Sequence, residues 1–248
     1  MKRAGLEKPF ETVQQYACEK SPWRREYLVL NSKAKHLFGD VWHMNRHLAH
    51  CYITNAPTML AMGFIYAVNF SGVCWDFSHL NAKRDDFKNA VKECLGQSAS
   101  TLHAFVKYLR VQGPSVLIII DEQVMGVSTK TADKDRENNH SAKLVLFRDE
   151  GFCPISLKVD PHDGAGIPEK RPRMITVAVN VQLYCQLADV GGTLSDKWQH
   201  VERCLSSLEE FVTRCGKMLP KYKIQDFIED IPCSCQIKRD MGLDFTIL

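Results

Sequence analysis

The sequence predicts an α+β fold, rich in short strands and carrying a few strongly amphipathic helices. Three observations support this. Ile175, Val177, Val179, Val181 and Leu183 alternate with Thr176, Ala178, Asn180 and Gln182, the two-residue period of a strand with one face in a core. The run Val116–Ile120 follows Gly113 and Pro114 and is short, branched and bounded, as a buried strand is. Trp198, Val201, Leu205, Leu208 and Val212 recur at spacings of three and four, with Ser195 placed to cap that helix and Gly216 to stop it.

The remaining elements follow in chain order. Phe10, Val13, Tyr16 and Ala17 recur at helical spacing, so a short amphipathic helix is expected between Pro9 and Lys20. Its stripe docks on its own domain or serves as an arm on a neighbouring copy. Tyr27–Leu30 reads as a strand, and part of the stretch through Cys51 as helix. Met62–Phe77 reads as a hairpin turning near Ser71 and Gly72. A helix is expected over Asp85–Leu95, with Phe87, Val91 and Cys94 on one face and Gly96 to end it. Thr101–Arg110 suits helix or strand. Leu144–Phe147 and Ile155–Val159 read as strands, and Ser128–Ala142 and Asp160–Pro172 as exposed loops. Lys223–Glu229 suits a short helix and Leu243–Leu248 a strand. Helices fall irregularly among strands, with no βαβ alternation and no internal repeat.

Length and composition limit the classes. A chain of 248 residues, 45% hydrophobic, buries the core of one domain, read as residues 1–25 forming a helical arm and 26–248 a body. No apolar run has the length of a signal peptide or a membrane span, so a cytoplasmic protein without a membrane partner is expected. Ten cysteines then read as reduced thiols. The net charge of +3 comes from 32 basic and 29 acidic side chains mixed along the chain. That is not the basic excess of a nucleic-acid binder, and it leaves little repulsion between copies.

Motif-bearing chemistry is sparse. The sequence holds no phosphate-binding loop, dinucleotide glycine fingerprint, nucleophile elbow or zinc-protease helix. Asp40, His43, His47 and His50 are the best metal candidates, because on a helix the three imidazoles share a face; Cys51 or Asp76 could add a ligand. Packing or surface histidines explain the same pattern. Cys233 and Cys235 form a Cys-x-Cys pair with no second pair at zinc-module spacing. Cys18, Cys74, Cys94, Cys185, Cys204 and Cys215 read as small buried apolar residues.

Five segments follow one another in a telling order: FIYAVNFSGVCWDF (Phe64–Phe77), KRDDFKNAVKE (Lys83–Glu93), GPSVLIII (Gly113–Ile120), RPRMITVAV (Arg171–Val179) and DKWQHVERCLSSLEEFVTRC (Asp196–Cys215). The series resembles the polyhedrins of cypoviruses, structural proteins that crystallise in the infected cell and enclose virus particles. The resemblance implies an antiparallel β-sandwich core with flanking helices and a projecting N-terminal helix exchanged between copies. It implies trimers, a cytoplasmic lattice with virus particles and further copies as partners, and nucleotides held between subunits. It also implies no catalysis and no required cofactor. Lattice contacts would then fall on Phe10, Val13, Tyr16 and Ala17. Such crystals dissolve in alkali, and Tyr16, Tyr27, Tyr108, Tyr222, Cys233 and Cys235 are the candidate groups whose ionisation would drive copies apart. Two rival readings stand beside it: a metal-binding enzyme using His43, His47 and His50, or an interaction protein presenting the helix at Pro9–Lys20 or the loop at Ser128–Ala142.

Overall fold

The structure, a computed structural model, describes residues 14–60, 63–78, 80–87, 89–112, 115–128, 138–160 and 171–218. It is a mixed α/β protein with several small sheets, not a β-sandwich. A sandwich needs two sheets packed face to face. Here helices cover the largest sheet instead.

The N-terminal strands come first. β1 (Tyr16–Cys18) pairs in parallel with β2 (His36–Phe38), joined by helix α1 (Pro22–Asn31). Tyr16 and Ala17 therefore lie on a strand rather than on the expected helix, while Phe10 and Val13 lie outside the described residues. Tyr27–Leu30 is helical, not extended. Pro22 presets the first turn, and Arg24, Arg25, Glu26 and Leu28 are good helix formers. The expected helix before Cys51 is only a single tight turn at His43–Asn45, followed by the hairpin of β3 (Leu48–Cys51) and β4 (Ala56–Met59). The Tyr52 backbone N–H donates to the Leu37 carbonyl at 2.8 Å, which ties this hairpin to the outer edge of β2.

The main sheet has four strands in the order β5 (Ile65–Phe70), β6 (Val116–Val124), β8 (Arg173–Asn180), β7 (Phe152–Val159). β5 runs parallel to β6, so the Ser71–Gly72 segment is no hairpin turn; the chain leaves the sheet and returns through α2 (Ala90–Glu93) and α3 (Gly96–Gln112). β6 and β7 each pair antiparallel with β8. Only part of the expected helix at Asp85–Leu95 forms: a tight turn at Arg84–Phe87 and then α2, which ends on Cys94 in a left-handed conformation at φ 54°. A distant side chain supports this weak stretch. Asn139 accepts a hydrogen bond from the Val91 N–H at 3.0 Å and donates to the Phe87 carbonyl at 2.7 Å.

Asn139 opens α4 (Asn139–Asp149), capped by the Asn138 side chain on the Ser141 N–H at 2.8 Å. Leu144–Phe147, expected as a strand, is thus helical: a cap and burial of Asn139, Ala142, Lys143 and Phe147 at helical spacing outweigh four apolar residues. The end of the expected exposed loop, Asn139 and Ala142, is buried, and residues 129–137 lie outside the described set. β8 stops at Asn180, whose side chain caps α5 (Val181–Leu187) through the Leu183 N–H at 3.0 Å; the alternation read through Leu183 overran into a helix. α6 (Leu194–Met218) confirms the long amphipathic helix but runs past Gly216.

Two clusters hold the body. On one face of the sheet, Phe70, Ile119, Phe147, Phe152 and Ala178 pack with Phe105 and Val106 of α3. Phe105 stacks on Phe70 with centroids 4.1 Å apart and planes 8° apart; each buried ring contributes roughly 1.5–3 kcal/mol. On the other face, Ile118, Ile155, Val177 and Val179 meet Val181 and Cys185 of α5 and Val201 and Leu205 of α6. The β1–β2 ribbon joins the first cluster: the Tyr16 ring meets Tyr108 of α3 edge-on at 6.1 Å.

Candidate functional site

β5 and β6 are parallel, with Phe70 paired to Asp121, so their carboxyl ends open on the same edge of the sheet. In open α/β sheets that edge is where ligands bind. Residues 71–77 leave β5 there and are held at two points. A Cβ on Gly72 would lie 2.7 Å from Phe70 Cζ and 3.5 Å from Gln123 Nε2, so the loop touches the end of β6. A Cβ on Gly126 would run into the Phe77 carbonyl oxygen, so the turn after β6 needs glycine to close on the far side of the loop. Cys74 stands between the two contacts, a free, half-buried thiol, and Trp75 beside it is 57% exposed.

The loop is anchored further by Asp76, which is buried. Its Oδ2 accepts from the Ser98 N–H at 2.6 Å, and its own N–H donates to Ser98 Oγ at 3.2 Å. The carboxylate thereby satisfies one orphan donor at the start of α3 and sits at the positive end of the helix dipole. Asp76, considered above as a metal ligand, is thus a helix cap.

Neighbouring residues on β6 carry charge to opposite faces. Asp121 points toward α4 and forms a fully buried ion pair with Lys143. Burial pushes its carboxyl above the ordinary range, and Lys143 and a hydrogen bond with Gln123 pull it back. Glu122 points the other way, half-exposed, and accepts from Arg173 Nε at 3.1 Å, across the β6–β8 ladder. Arg173 is fixed in turn by donating to the Pro172 carbonyl at 3.1 Å. A thiol, an exposed aromatic ring and an oriented carboxylate therefore share the edge where the parallel strands end.

The residues singled out from the sequence lie elsewhere. His43 is on the tight turn, His47 precedes β3, and His50 lies on β3 with its ring edge-on to Tyr52 at 4.8 Å. With no helix there, nothing places the three on a common face, and among the described residues no three His, Cys, Asp or Glu could hold a metal ion. Tyr16 and Tyr108 are core rings, and burial pushes the Tyr16 phenol up; Tyr27 is half-exposed on α1. Tyr222, Cys233 and Cys235 lie outside the described residues. Among the described residues Cys51 is the thiol brought below its ordinary value. Burial would raise it, but hydrogen bonds from Thr54, Leu37 and His36 outweigh that and bring it down to about 6. It is fully buried, so no substrate reaches it. Cys74, read from sequence as core, was traceable only by its place two residues after a glycine that closely follows a strand. Glu122 and Arg173 had no local signal, because their pairing depends on strand register.

No family model and no curated protein matches the chain. Among solved structures it is similar to the Dnmt2 methyltransferase of S. pombe, at 14% identity and a TM-score of 0.40 over 68% of this chain. It is also similar to the methyltransferase EhMeth of Entamoeba histolytica, at 15% identity and a TM-score of 0.32 over 46% of this chain. The chain spans less than half of either, 42% and 31% respectively. These neighbours are enzymes, and the polyhedrin resemblance is corrected on that finding, together with the crystalline occlusion-body role, its alkaline dissolution, and the expectations of no catalysis and no required cofactor. The metal-enzyme alternative is likewise unsupported. The segments quoted for the resemblance fold into a mixed parallel and antiparallel sheet between helices, which is why their order misled. Likeness at this distance assigns no residue and no substrate, so the site rests on the side chains.

Whether a nucleoside cofactor fits is decided by this chain's own residues. A nucleoside cradle takes an acidic side chain at a strand's carboxyl end for the ribose and a glycine-rich turn for close approach. Glu19 and Asp40 follow β1 and β2 in that manner, but Glu19 Oε1 accepts from the Ser21 N–H at 2.7 Å and Asp40 Oδ1 from the Trp42 N–H at 3.0 Å. Among the described residues no glycine-rich turn lies beside them. The residues present do not make the cradle.

Proposed function

We propose that the chain is a group-transfer enzyme of the methyltransferase kind whose covalent chemistry centres on Cys74. The observation that carries this is the Cys74 loop, pinned across the carboxyl ends of two parallel strands next to the Glu122–Arg173 pair. A thiolate adds readily to an electron-poor carbon–carbon double bond. Trp75 offers a planar ring a face to stack on, and Glu122 accepts a ring N–H, held in orientation by Arg173. A pyrimidine fits these three contacts. Addition of the Cys74 sulfur to one ring carbon makes its neighbour carbanionic; that carbon takes a proton from solvent, loses its original one, and the sulfur departs.

The test needs no second substrate. The full chain is incubated in deuterated water with pyrimidine nucleosides and oligonucleotides, and deuterium entering the ring is read by mass spectrometry. Wild type is expected to exchange the ring hydrogen, and Cys74→Ser to abolish the exchange. Exchange at equal rates in Cys74→Ser, or none in the wild type, overturns the reading.

A further inference from the structure

Where α5 packs on α6, three side chains form a cluster that the proposed reaction does not use. α5 starts at Asn180, the opposite end of β8 from Arg173. Val181 and Cys185 of α5 pack with Val201 and Leu205 of α6, which fixes Tyr184 at the rim of the contact. His200 and Cys204 are four residues apart on α6 and therefore share a face. The Tyr184 hydroxyl donates to Cys204 Sγ at 3.7 Å, and the same sulfur lies 3.7 Å from His200 Nε2. The planes of the Tyr184 and His200 rings are 34° apart and their centroids 6.1 Å apart, so the two rings flank the sulfur as a pair.

Cys204, read from sequence as a buried apolar residue, is exposed. Cys18 and Cys94 are exposed as well, and no described ring group bonds either sulfur. Cys185, beside Tyr184 in the chain, is buried, and burial pushes its thiol up, so it stays protonated and out of reach. The Cys204 sulfur instead has an acceptor on one side and a donor on the other. His200 Nε2, as the unprotonated nitrogen of the ring, accepts the thiol proton, and the Tyr184 hydroxyl donates to the thiolate that is left. That hydrogen bond, with burial, pushes the Tyr184 phenol above its ordinary value, so the donor keeps its proton.

We infer that Cys204 is a modification site for small hydroperoxides, with His200 as its base and Tyr184 as its proton donor. The thiolate attacks the terminal peroxide oxygen, and the sulfur–oxygen bond forms as the oxygen–oxygen bond breaks. The departing hydroxide or alkoxide takes a proton from the Tyr184 hydroxyl, which recovers one from His200 through solvent. Thiol and hydroperoxide thus become sulfenic acid and water or alcohol, with the sulfur oxidised and the peroxide reduced. The class of reagent follows from the cluster. An open thiol suits a small molecule, and a leaving group that departs as a strong base needs a donor at hand; a peroxide has such a leaving group and an alkyl halide has not. None of these steps involves Cys74.

Trapping on the full chain tests it. Reduced protein is treated with hydrogen peroxide and a cyclic diketone that captures sulfenic acids, and the peptides carrying Cys204 and Cys94 are followed by mass spectrometry. Cys94 serves as the exposed reference thiol within the same molecule. Wild-type Cys204 is expected to be captured about ten-fold faster than Cys94. Tyr184→Phe, which keeps the ring packed between the helices, and His200→Gln are each expected to bring Cys204 down to the rate of Cys94. Both variants should leave Cys94 and the circular dichroism spectrum unchanged. Capture of wild-type Cys204 no faster than Cys94, or at an undiminished rate in either variant, overturns the inference.

Discussion

Asp121 and Glu122 are adjacent on one strand and each meets a cation, yet the two pairs do different work. Asp121 and Lys143 are sealed beneath α4, whereas Glu122 and Arg173 sit half-open where the sheet ends. The alternation of side chains in a strand is enough to separate them. A buried pair must remain whole, because either member alone is a charge without water. An open pair gains little stability and can exchange its partner for a substrate. The lesson is that ion pairing marks function only when burial is taken into account.

Breaking the buried pair should give the largest effect. Lys143→Met leaves Asp121 buried and unpaired, and is expected to cost about 3–5 kcal/mol by urea unfolding at neutral pH. The pH dependence has a definite sign. Without Lys143, burial outweighs the Gln123 hydrogen bond on Asp121 and raises its folded pKa further, so the variant should be most stable below the ordinary carboxylate range and lose stability as pH rises. Asp76→Ala comes next: it removes the cap of α3 and should cost about 1–2 kcal/mol, while loosening the Cys74 loop enough to lower ring exchange. Arg173→Ala inverts the pattern. Its unfolding free energy should change by less than about 1 kcal/mol, yet exchange should fall about ten- to a hundred-fold as Glu122 loses its orientation. A large stability loss in that variant would erase the distinction between the two faces.

A further effect, read as a pH slope, is expected at Cys51. Its thiol falls from 9.0 to about 6 in the fold, so the ionised form stabilises the protein. That contribution is complete above about 9 and is lost as pH falls toward about 6. Unfolding free energies measured across this range should rise with pH in wild type and rise less in Cys51→Ala.

Much of the strand content was legible in the sequence. The branched run at Val116–Ile120, the stretch at Ile155–Val159 and the alternation from Ile175 each became a strand of one sheet, and the stripe from Trp198 became α6. Local pattern failed where a distant group decided the outcome. The stretch before Gly96 depends on Asn139, Leu144–Phe147 follows the Asn138 cap, and the parallel pairing of β5 with β6 is invisible to periodicity. The parallel pairing mattered most for the site. Read as a hairpin, Ser71–Gly72 would be a plain turn; across parallel strands it starts the loop that presents Cys74.

Asn139 also has a kinetic consequence. Its side chain bonds Phe87 and Val91, so α2 and the tight turn before it take their hydrogen-bond partners from a helix about fifty residues later. Loop closure over that span must precede the reward. The segment should therefore lock late in folding, after α4 has docked. The same coupling makes the two regions open together, so a protease that cuts near Phe87 reports on the undocking of α4.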